Sequence, residues 1–123
     1  MTRKMLFLVF TDEACRQNHA LLYATDLRSK GHDVKVILEG AATGSFRLLD
    51  DKESMFSRLF ARAKDMGIIA GACKRASGGC ATGREDRNVA DIVEREGVQM
   101  LSDLEGHAGI EAFVRDGYEV VVF

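Results

Sequence analysis

Proline is absent from the 123 residues, although average usage of about 5 % would place roughly six in a chain of this length. Long Pro-rich linkers and cis-Pro turns are therefore excluded. A basic surplus is missing too, since 17 Lys and Arg face 19 Asp and Glu for a net charge of −2. Such a balance gives no electrostatic grip on a phosphate backbone, so direct nucleic-acid binding is not expected. No apolar run approaches the roughly 18 residues of a membrane span, so no membrane partner is expected either. The run Met5–Phe10 behind Arg3 and Lys4 falls short of the roughly 7–15 apolar residues of a secretory signal. It meets Thr11-Asp12-Glu13 and reads as a buried strand. The three cysteines are odd in number and irregular in spacing, as reduced cytoplasmic thiols are.

What is present is a repeated junction. Lys30-Gly31-His32, Met66-Gly67-Ile68, Glu96-Gly97-Val98 and Asp116-Gly117-Tyr118 each set a glycine between an amphipathic segment and an apolar one. Glycine accepts the left-handed conformation that ends a helix and lets the chain turn into a strand. Four such joints predict alternating β and α elements, hence a mostly parallel sheet covered by helices. The expected strands are Met5–Thr11, Asp33–Glu39, Ile68–Gly71, Val98–Leu101 and Tyr118–Phe123. The expected helices are Glu13–Lys30, opened by Thr11 or Asp12, then Glu53–Met66, Arg84–Glu96, and one from a capping box at Ser102-Asp-Leu-Glu105 to about Asp116. The predicted fold is a single α/β domain over 1–123, a three-layer α/β/α arrangement with a five-stranded sheet. In the Glu53–Met66 helix, Phe56 and Phe60 suit either the sheet or a neighbouring chain. Two stretches, Gly40–Asp51 and Gly71–Gly83, break the rhythm beyond the carboxyl ends of strands, where open α/β sheets bind ligands.

Cys73 is the first candidate for chemistry. It follows a buried strand, precedes Lys74 and Arg75, and falls near the start of a helical turn, where a thiolate is favoured. Cys80 lies in the glycine-rich segment with Gly78 and Gly79. Its distance from Cys73 fits neither a C-x-x-C redox pair nor a zinc knuckle, and no metal or cofactor is expected. Either cysteine is equally readable as a small buried hydrophobe. Cys15, in the first turn of the first helix, reads as a core residue facing the sheet. Glu39 ends the second strand at the same edge as Thr11 and Cys73, as a base or as a strand end turning into solvent. The histidines look isolated: His19 and His107 are placed in helices and His32 in a turn, with no His/Cys cluster. Gly40-Ala-Ala-Thr-Gly44-Ser45 is no phosphate loop, since no Lys follows the second glycine. No dinucleotide glycine pattern follows the first strand.

With Phe7-Leu-Val-Phe10, the helix ending in Ser29-Lys30-Gly31-His32-Asp33-Val34, Ile37-Leu38-Glu39-Gly40, Gly67-Ile-Ile-Ala-Gly-Ala-Cys73-Lys74 and Gly117-Tyr118-Glu119-Val-Val-Val-Phe123, the chain resembles the DsrE/DsrF-like family, which includes TusD-type sulfur-relay subunits. The resemblance implies a compact α/β/α domain, homo-oligomers (trimers or hexamers), and a persulfide-carrying cysteine after the third strand, which falls on Cys73. It implies a cytoplasmic sulfur relay between donor and acceptor proteins, sulfurtransferase-like if Cys73 carries the persulfide. Lys74, Arg75 and the glycine-rich backbone at Gly78 and Gly79 would hold the anionic sulfur, with Glu39 and Thr11 at the site. Cys80 would be a resolving thiol or a bystander. The alternative is a non-catalytic small-ligand-binding or assembly protein of the same fold.

Overall fold

A computed structural model describes residues 2–78 and 87–123. In chain order these form β1 (Lys4–Val9), α1 (Ala14–Ser29), β2 (Asp33–Leu38), a 3₁₀ segment (Gly40–Asp50), α2 (Met55–Asp65), β3 (Ile69–Cys73), the single turn α3 (Lys74–Ser77), α4 (Arg87–Arg95), β4 (Met100–Leu101), α5 (Glu111–Arg115) and β5 (Glu119–Val122). The strands make one sheet in the order β4-β3-β2-β1-β5. Every pairing is parallel. The glycine joints lie where expected, with Gly31, Gly67, Gly97 and Gly117 all at positive φ.

The two faces of the sheet are covered unequally. On the first, Phe7, Val9, Val34, Val36, Leu38 and Ala72 pack against α1, the 3₁₀ segment, α2 and α4. Phe46, Phe56 and Phe60 are buried there, their rings 5.4–5.7 Å apart in two successive pairs. Phe56 and Phe60 thus pack within the chain, each burial stabilising the fold by roughly 1.5–3 kcal/mol. On the second face Leu6, Leu8, Ile37 and Cys73 meet Ala76, Ala108 and the five-residue helix α5. Among the described residues that third layer is thin, and Val114 and Val122 stay more than half exposed.

Several local expectations are corrected. The carboxylate of Glu13, not Thr11 or Asp12, caps α1, accepting from the backbone N–H groups of Cys15 and Arg16. The Thr11 hydroxyl oxygen accepts from the Glu13 N–H instead. Ser54 caps α2. The irregular stretch after β2 is a 3₁₀ run. Ser102 opens no helix: Leu104 and His107 pair across a two-residue turn with Glu105 at φ 50° and Gly106 at φ 88°. Positive φ at both central positions is the geometry of a type I′ hairpin turn, which a helix cannot contain. The last helix shrinks to α5.

One irregularity matters most. Val36 lies opposite Ile69 but Ile37 lies opposite Gly71, so β3 carries one extra residue, Ala70. Strict alternation from Ile69, which faces the first layer, would send Cys73 to that same layer. The bulge flips the parity, and Cys73 faces the second layer with Ile37. Close packing fixes the bulge, since a Cβ on Gly71 would lie 2.6 Å from the Gln99 carbonyl oxygen and 2.7 Å from Leu101 Cγ. Gly71→Ala should therefore destabilise the chain by about 1–3 kcal/mol. Gly44→Ala, where a Cβ meets nothing closer than 3.6 Å, should change the urea midpoint little. Equal midpoints for both variants would contradict this account of β3.

Candidate functional site

The bulge brings three elements together at the carboxyl edge of the sheet. Glu39 follows β2, Cys73 ends β3, and His107 closes the turn after β4. Their ligand atoms all lie within 4.8 Å of one another. Cys73 is fully buried and Glu39 is 9 % exposed, whereas His107 is half-buried. Glu39 thus turns inward, which rules out a strand end in solvent. One carboxylate oxygen, Oε1, accepts from the Gly40 N–H at 2.9 Å. Among the described residues no Lys or Arg pairs with it.

Cys73 Sγ is contacted from three sides. The Ala76 N–H, in the first turn of α3, points at Sγ from 3.5 Å. His107 Nδ1 stands 3.6 Å away. The Glu39 carboxylate lies within 4.8 Å on the third side. Burial pushes the thiol pKa above its ordinary 9.0, and Glu39 adds to this by accepting the thiol proton and repelling a thiolate. The Ala76 and Ala108 N–H groups work the other way. The site therefore holds a protonated thiol beside a base, with donors in place for the anion. With its folded value raised, Cys73 favours folding fully below pH 9.0, and that contribution is lost as pH climbs through the folded value.

The remaining candidates divide. Lys74 and Arg75 are exposed. Arg75 serves the hairpin: its N–H donates to the Gly106 carbonyl at 3.1 Å, and its side chain lies where a Cβ on Gly106 would sit, 2.8 Å from Nε. Among the described residues the Ala76 N–H, rather than either cation, bonds the sulfur. Gly78 caps the end of α3. Gly79 and Cys80 lie outside the described residues, and so does any Cys73–Cys80 pairing. Thr11 is bound into the start of α1, where its carbonyl accepts from Gln17 Nε2. Cys15 is exposed, not packed on the sheet, and lies 3.6 Å from His19 Nδ1. His32 Nδ1 accepts from the Arg3 N–H.

The sequence pattern gives no sign of His107 at the site, because the capping-box spacing at Ser102–Glu105 places the residue in a helix. The pattern Glu105-Gly106 was the available signal for a turn. Glu39→Gln should move the pH profile of Cys73 alkylation to lower pH and speed the reaction at neutral pH, because it removes the repelling charge. Exposed Cys15 should react alike in both proteins. A profile at Cys73 unchanged by the substitution, followed by peptide mass spectrometry, would contradict the assigned contact.

No family model matches the chain, and no solved structure matches it. Its sequence is similar to an uncharacterized protein of Methanocaldococcus jannaschii, 27 % identical over 103 residues that cover 84 % of this chain and 76 % of that protein. It is also similar to an uncharacterized protein of Archaeoglobus fulgidus, 37 % identical over 43 residues, covering 35 % of this chain and 70 % of the relative. The chain belongs to one family with the Archaeoglobus protein, and neither relative's description states an activity.

Proposed function

We propose that the protein is a sulfur-relay carrier in which Cys73 accepts a sulfane sulfur and passes it to a partner thiol. The observation that carries this reading is the setting of Cys73 Sγ: a carboxylate and an imidazole beside it, and the Ala76 N–H aimed at it. The DsrE/DsrF-like resemblance of the strand and cysteine at Gly67–Lys74 supports the same chemistry.

In the proposed cycle the Cys73 thiol gives its proton to Glu39, and the thiolate attacks the outer sulfur of a donor persulfide. A bond forms between Sγ and that sulfur while the donor S–S bond breaks, and the donor leaves as a thiolate. No oxidant or reductant is consumed. An acceptor thiolate then attacks the outer sulfur of the Cys73 persulfide, Cys73 departs as a thiolate bonded by the Ala76 N–H, and Glu39 returns the proton to it. The cycle is sulfurtransferase-like.

Access is the main constraint on this cycle, because a thiol with no exposed surface reacts only when its cover moves. The Leu104–His107 hairpin forms one part of that cover. Exposed apolar side chains flank the site: Leu104 on the same hairpin, and Phe10, whose ring lies against Gly40. They suit the docking of a protein donor or acceptor. A homo-oligomer in a cytoplasmic setting belongs to the same proposal, with Val114 and Val122 on the thin face available for cover.

Intact mass spectrometry after incubation with a cysteine desulfurase and cysteine tests the reading. Wild type and Cys15→Ser should gain one sulfur that a reductant removes, and Cys73→Ser should gain none. Loading that persists in Cys73→Ser, or no loading of wild type beside a working positive control, would overturn it. The second outcome would favour the non-catalytic ligand-binding or assembly reading.

A further inference from the structure

We infer that Glu39, Cys73 and His107 form a binding site for one thiophilic divalent cation of the zinc class, with a fourth coordination position left open. This goes beyond sulfur transfer and does not depend on it. The donor set is one sulfur, one imidazole nitrogen and one carboxylate oxygen, a combination that selects zinc-like ions over magnesium or calcium. Bonds of about 2.0–2.3 Å to a tetrahedral ion place neighbouring donors roughly 3.6 Å apart. Cys73 Sγ and His107 Nδ1 already stand at 3.6 Å. All three donors share a space of 4.8 Å, so small rotations of the Glu39 and His107 side chains complete the triangle.

Charge points the same way. Glu39 is a buried carboxylate, and no Lys or Arg pairs with it among the described residues. Buried charges are ordinarily paired or bound to metal. An ion at the centre of the triangle supplies the missing positive charge and takes the thiol as thiolate. The surroundings also hold the ligands in place, with the Gly40 N–H on Glu39 Oε1 at 2.9 Å and the Ala76 N–H on Cys73 Sγ at 3.5 Å. An ion needs a far smaller opening than a partner protein's cysteine does, which suits a site this enclosed. Because the ion uses the same thiol, its binding and persulfide loading of Cys73 exclude each other.

The test is a Co²⁺ titration of the reduced full-length chain carrying Cys15→Ser and Cys80→Ser, so that Cys73 is the only thiol. The expected result is one Co²⁺ per chain with a sulfur-to-cobalt charge-transfer band, displaced by one equivalent of Zn²⁺. His107→Gln, on the half-buried turn, and Glu39→Gln should each weaken binding by at least about tenfold. Absence of the band, or an affinity that either substitution leaves unchanged, overturns the site. Sulfur loading of the same metal-free protein is scored separately by mass. Loading without Co²⁺ binding sinks only the cation site, and Co²⁺ binding without loading sinks only the sulfur relay.

Discussion

The site depends on a close approach of two backbones. At Gly71, β3 lies so near Gln99 and Leu101 that no side chain fits, and β3 takes up one extra residue against β2 there. A strand's side chains alternate between faces, so a single inserted residue moves everything after it to the other side. Without the insertion Cys73 would join Ala63 and Phe60 in the thick apolar layer, an inert core thiol. With it, Cys73 emerges on the face where Glu39 ends β2. The chemistry proposed for this protein rests on that change of parity.

The unequal covering of the sheet then becomes intelligible. The first face carries four helical segments and four buried phenylalanine rings, and holds most of the apolar burial that stabilises the fold. Among the described residues the second is closed by α3, α5 and the 102–110 segment, none of which is anchored by a large fully buried side chain. Segments with little buried apolar area open at lower free energy than the core. A buried thiol under a light cover can be reached at intervals without unfolding the domain. The site also stands apart from the crevice between β1 and β5, where the direction of sheet growth reverses and ligands of open α/β sheets ordinarily bind. There the backbone N–H of Phe10 donates to the carbonyl of Phe123 at 2.8 Å.

The order of strands and helices was legible because its signals are local. Gly31, Gly67, Gly97 and Gly117 mark the helix ends by a conformation that glycine adopts without strain. The placement of Cys73 at the end of β3 and the start of a helical turn was legible for the same reason, and so was that of Glu39 at the end of β2 on the same edge. The bulge was not, because Ile69-Ala-Gly-Ala-Cys73 reads equally well with or without it, and contact with Gln99 decides. Nor was His107: Ser102-Asp-Leu-Glu105 has the spacing of a capping box, and the pairing of Leu104 with His107 won over that local preference. Cys15 was misplaced because its spacing to Leu22 fitted an inward helix face, whereas the helix turns it to solvent.

The site stands or falls on the direct contact of Cys73 with His107 in solution. Its most direct test is NMR of the histidine rings in the Cys15→Ser, Cys80→Ser protein before and after alkylation of Cys73. The His107 ring resonances should shift, while those of His19 and His32 stay in place. A His107 ring indifferent to the modification of Cys73 would mean that the three residues do not form a site.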